Sequence, residues 1–73
     1  MDATMQAVNA ARDELRLKTK ELADGVALLR IATDVRVEDL RSYTRDLENR
    51  KSAVERALMA WTAALSELET AQS

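Results

Sequence analysis

Positions spaced alternately three and four residues apart draw one stripe through nearly the whole chain. From Met5 it runs through Val8, Arg12, Leu15, Thr19, Leu22, Val26, Leu29, Thr33, Arg36, Leu40, Tyr43, Leu47, Arg50, Val54, Ala57, Trp61, Ala64 and Leu68. Most of these side chains are apolar. Residues at this spacing stack on one face of an α-helix, and the narrow seam they form asks for a neighbouring helix.

The stripe predicts two long elements. The first, about residues 2–31, is rich in helix formers, and Glu14 with Lys18 and Lys20 with Asp24 are favourable pairs four apart, each worth a few tenths of a kcal/mol. Asp24-Gly25 interrupts it: a glycine costs about 1 kcal/mol inside a helix, but it is also the favoured residue just past a helix end, and Gly25 fits either role. The second element, about residues 37–71, opens with Glu38 and Asp39, which suit the positive end of a helix dipole. Asp46 then faces Arg50, Lys51 faces Glu55, and neither glycine nor proline intervenes.

Between them, β-branched residues stand at Thr33, Val35 and Val37, Asp34 is a capping type, and two successive stripe positions, Thr33 and Arg36, are polar. A turn at about 32–36 follows, with Arg36 in the turn and outside any seam. The expected fold is a single all-α domain over residues 1–73, an antiparallel hairpin of two long helices that self-associates into a four-helix bundle or coiled coil. No Gly, Pro or Asn marks the turn, so one continuous coiled-coil helix of about 70 residues is the alternative. A helix–β-hairpin–helix, with strands near Val26–Ile31 and Val35–Val37, is a third. The run from Ile31 to Tyr43 faintly resembles the strand-to-helix passage of gpW-type phage head–tail joining proteins. The resemblance implies a β-hairpin between helices, but the glycine-marked turn of that family has no counterpart here and no family is assigned.

Composition narrows how so short a chain can be held together. A domain of 73 residues buries only about 60% of the surface that its unfolded chain exposes. Cysteine and histidine are both absent, which closes the disulfide and zinc routes, and the aromatics are only Tyr43 and Trp61. Helix association is the remaining route. Eleven basic and thirteen acidic residues are interspersed, with a formal net charge of −2, so no pull toward nucleic acid or anionic membrane is expected. Residues 1–6 lack the basic start and apolar run of a secretory signal, and no stretch approaches the ~20 apolar residues of a membrane span. A soluble, intracellular, cytoplasmic protein is expected.

The uncharged window from Ala57 to Ser66 holds the best candidate for an interaction surface. Val54, Leu58, Trp61, Leu65 and Leu68 form a stripe broader than two residues per heptad, which argues for packing against more than one helix, and Leu40, Tyr43 and Leu47 extend it. Met59 projects away from this stripe. Trp61 either fills the protein's own core or anchors a partner. Arg12 and Arg50 interrupt the seam and are candidates for setting register and partner choice, unless their stems lie along it with the guanidinium in water.

The ladder Arg12, Arg16 and Lys20, like the pair Arg41 and Arg45, has a phosphate-tracking spacing. Asp13, Glu14 and Glu21 are interleaved with the first set, so a solvated helix face is the better reading and nucleic-acid binding is not expected. Without histidine, cysteine or a glycine-rich phosphate loop, no catalytic, metal or cofactor site and no small-molecule substrate is expected. The function expected is a non-catalytic protein–protein interaction or assembly factor. Its partners would be itself, as a homodimer or tetramer, and a helical protein. Alternatives are a structural coiled-coil scaffold segment, and a small regulator, inhibitor or co-chaperone of phage or secretion type that occludes a partner.

Overall fold

Helix formers dominate both halves of the chain, and each half holds one long helix. The computed structural model describes residues 3–31 and 36–72. Helix α1 spans Ala3–Ile31 and helix α2 spans Val37–Gln72. Helix α2 starts where its first turn can be satisfied: Leu40 N–H donates to the Arg36 carbonyl at 2.9 Å, and Glu38 and Asp39 stand at the positive end of the dipole. Arg30 stands in the last turn of α1, where a cation is favourable. Thr19, Thr44, Thr62 and Thr70 each donate their hydroxyl to the carbonyl four residues earlier, at 2.7–3.0 Å, so these polar side chains are satisfied within their own helix.

The two helices lie side by side as a hairpin. The molecule measures 55 × 15 × 13 Å, and a straight helix of 36 residues is about 54 Å long, so α2 alone accounts for its length. The single continuous helix is thereby excluded. Residues 26–31 are helical, which also excludes the first strand of the helix–β-hairpin–helix alternative. The expected turn at 32–36 lies, apart from Arg36, outside the described residues.

On α2 the stripe faces inward from Tyr43 onward: Tyr43, Leu47, Arg50, Val54, Ala57, Trp61, Ala64 and Leu68 are all buried or half-buried, whereas Leu40, in the first turn, is 43% exposed. On α1 only half the stripe turns inward. Val8, Leu15 and Leu22 do so, whereas Met5, Arg12, Thr19 and Val26 are exposed, and Thr4, Ala11, Lys18 and Gly25 face α2 in their place. The reason is close approach. A Cβ on Gly25 would lie 3.0 Å from Leu47 Cδ2 and 3.0 Å from Arg50 Cδ, so α2 occupies the space that any larger residue needs. Gly25 is therefore inside the helix rather than beyond its end.

Arg50 fixes the register. Its Nη1 donates to the Glu21 carbonyl at 2.5 Å and its Nε to Asp46 at 2.9 Å. Continued toward the free ends, this register sets Trp61 level with Ala11 and Leu68 level with Thr4.

Gly25→Ala tests the close approach. At an open helical site alanine stabilises by about 1 kcal/mol, whereas overpacking a filled site costs about 1–3 kcal/mol. Urea unfolding is expected to show no gain, or a loss of up to about 2 kcal/mol. In an Arg50→Ala background, where only the Leu47 contact remains, the same change is expected to be more favourable by up to about 1 kcal/mol than in the wild type, and equal effects in both backgrounds would contradict the Arg50 contact.

Candidate interaction face

Each helix contributes two inward rows. In α1, one holds Val8, Leu15 and Leu22 and the other Thr4, Ala11, Lys18 and Gly25; in α2, one holds Leu47, Val54, Trp61 and Leu68 and the other Tyr43, Arg50, Ala57 and Ala64. The first row of each helix is made of large apolar residues and the second of small or charged ones. Antiparallel helices are related by a local two-fold axis normal to the plane containing them, so equivalent rows lie on the same side of the hairpin. One broad face therefore carries both large rows and the other both mixed rows.

The mixed-row face is acidic. Its outer positions include Glu14 and Glu21 on α1 and Asp39, Asp46 and Glu67 on α2, with one large apolar residue, Leu28, 51% exposed at the turn end of the α1 row. Both inward cations lean onto it. Lys18 Nζ lies 3.6 Å from Glu14 and 3.7 Å from Glu21, while Arg50 pairs with Asp46 and crosses to the Glu21 carbonyl. These contacts hold the polar seam residues to one side.

The opposite face is apolar. Beyond the large rows lie Met5, Arg12, Thr19 and Val26 on α1, and Thr44, Lys51, Leu58 and Leu65 on α2. Met5 is 47% exposed, Leu58 46% and Val26 37%, Leu65 is part-exposed, and the rows beneath are only half-covered: Leu15, Leu22, Leu47, Val54, Trp61 and Leu68 are all part-exposed. Thr19 and Thr44 present methyl groups here, because their hydroxyls are spent on their own backbones. A shallow groove between Thr19, Leu22, Ala23, Val26, Ala27 and Arg30 continues the face around α1.

The sequence candidates distribute as follows. Val54, Trp61, Leu68 and Leu47 form the large row of α2, with Leu58 and Leu65 flanking it on the apolar face. Leu40 continues that row toward the turn and is 43% exposed, and Tyr43 is half-buried in the mixed row. Met59, 71% exposed, points away from both faces. Arg50 bridges the two helices, whereas Arg12 is exposed and reaches only its neighbour Asp13, at 3.3 Å. Sequence reasoning paired Lys18 with Glu14 and left Gly25 with two roles, but placed neither in the seam. Their signal was positional: both lie in a seven-residue spacing with Thr4 and Ala11, one residue before the apolar stripe.

Trp61 is the largest side chain in the seam, and its Nε1 is buried without an acceptor. A buried unpaired N–H costs about 1–3 kcal/mol, so the indole is held for its apolar area. Trp61→Ala is expected to lower stability by about 3–5 kcal/mol in urea unfolding. Trp61→Phe, which removes the orphan N–H and keeps a ring, is expected to lose about 1 kcal/mol or less. Equal losses for the two would show that ring area is not what the site uses.

Among the described residues no helix is long and apolar enough to cross a membrane, and no group of carboxylates is placed to hold a metal ion. No protein-family model, curated protein or solved structure matches the chain.

Proposed function

We propose that this chain is a small, non-catalytic assembly factor whose hairpin pairs with a second copy through the apolar face, giving a four-helix bundle. One observation carries the reading: the hairpin leaves its own large apolar row half-open. Among the described residues Val8 and Ala57 are the only buried apolar side chains, and none is fully buried.

The dimensions agree. The hairpin exposes 5816 Å², against about 4,500 Å² for a compact monomer of 8.2 kDa. Its radius of gyration is 16.7 Å against about 11 Å for a compact domain of this length. The excess, about 1,300 Å² per chain, is larger than the about 800 Å² that each partner gives to a standard protein interface. The acidic face does not suit a second copy, since it would bring like charges together. The apolar face does, because its threonines are already satisfied and its cations sit on long stems that can reach water.

The assembly acts by helix-face burial, in the cytoplasm, with no cofactor or small-molecule substrate. In-line light scattering is expected to give twice the 8.2 kDa of one chain. Leu58→Glu with Leu65→Glu is expected to shift the wild-type dimer to monomer, whereas Met59→Glu, on the outer surface, leaves the mass unchanged. A wild-type monomer that stays folded would overturn self-pairing, and would favour a regulator that lays the same face on a different protein.

A further inference from the structure

Resting on the reading that a second copy covers the apolar face, we infer that the acidic face docks a basic, amphipathic helix of a different protein near the turn end of the hairpin. That face stays outside the dimer. A second copy is a poor occupant for it, because acids would meet acids.

Both helices build the surface. On α2, Asp39 and Asp46 lie on one side of the helix, about two turns or 10 Å apart along its axis. Between them Ser42 and Tyr43 complete a shallow depression of about 340 Å³. An arginine or lysine lowered into it meets two carboxylates and an aromatic ring, and both attract a cation. On α1, Leu17 is 49% and Leu28 51% exposed, on the same flank, about three turns or 16 Å apart. Glu21 and Asp24 stand between them at helical spacing. Gly25 packs on Leu47 and Arg50, so Leu28, nearly one turn further on, comes level with the Tyr43 segment of α2. The acids therefore border apolar area, and a helix with apolar anchors on one stripe and cations beside it complements that pattern.

The charge is available to a partner. Asp24 and Asp39 are exposed and have no ion pair among the described residues, whereas the two inward cations of the face, Lys18 and Arg50, are already held by Glu14, Glu21 and Asp46. Arg41 and Arg45 lie with Glu38 around the outer side of α2. Phosphate backbones and anionic lipid surfaces are repelled by the same acids. A protein helix supplies both the cations and the apolar anchors.

The probe is a fluorescein-labelled peptide of leucine, arginine and alanine, about 20 residues long so that a helix can form, with leucines on one stripe and arginines beside it. A control peptide carries glutamine in place of arginine. Binding to the full chain is followed by fluorescence anisotropy, with mass by light scattering on the same samples. The arginine peptide is expected to bind saturably and the glutamine peptide not to bind. Asp39→Asn and Asp24→Asn are each expected to weaken binding by up to about fivefold, the scale of one exposed ion pair. Leu28→Ala is expected to weaken it by about fivefold or more through lost apolar burial. Glu48→Gln, on the outer side of α2, removes the same charge and is expected to leave binding unchanged. Equal weakening by Glu48→Gln and Asp39→Asn would overturn the site, as would binding that Leu58→Glu with Leu65→Glu abolishes and Asp39→Asn does not alter. Dimer mass without binding overturns the docking surface and leaves the dimer standing. Asp39-dependent binding at monomer mass supports the docking surface and overturns self-pairing.

Discussion

A helix pair has one internal interface, and that constraint governs the rest of this molecule. Each helix can turn only a narrow stripe toward the other, so any apolar residue beyond two per heptad stays in water until something else covers it. With no cysteine to form a disulfide, and no metal-holding group among the described residues, helix packing is what the hairpin's described contacts supply. The hairpin meets the constraint unevenly. Its small and charged residues close one side tightly, and most of its large apolar residues gather on the other, with Leu17 and Leu28 the exceptions.

Lys18 and Arg50 turn this unevenness into two distinct faces. Each is a cation in a seam position, where an unpaired charge is costly. Each is drawn to the same side by Glu14, Glu21 and Asp46, and Arg50 also takes the Glu21 carbonyl. The room for Arg50 comes from Gly25, whose missing side chain leaves the space that the arginine stem and Leu47 fill. A glycine on one helix, an arginine on the other and acids on both thus set register and facial polarity together. Ion pairs this exposed contribute little to stability. Their effect is on which side chains face which way.

Much of this was legible in the sequence. The two helices follow from composition and periodicity, and the inward residues of α2 are those of the stripe because there large residues mark the seam. On α1 the stripe led one residue astray at Met5, Arg12, Thr19 and Val26. Hydrophobic periodicity registers large apolar side chains, whereas the tight side of this seam is built from Thr4, Ala11, Lys18 and Gly25, which carry little hydrophobic signal. The α1 stripe is centred instead on the apolar face that the hairpin leaves open. The breadth of the α2 stripe, which takes in Leu58 and Leu65, marks the same face. What a sequence could not give was the geometry by which Arg50 crosses to α1, since that depends on the register between helices.

The central claim is that the hairpin needs a second copy to complete its core. Thermal unfolding followed by circular dichroism over a hundredfold range of chain concentration tests it most directly, because a dimer's stability is tied to its concentration by mass action. The account predicts a Tm that rises steadily with concentration. A Tm independent of concentration, with a cooperative transition, would mean that the single hairpin is stable alone and would contradict it.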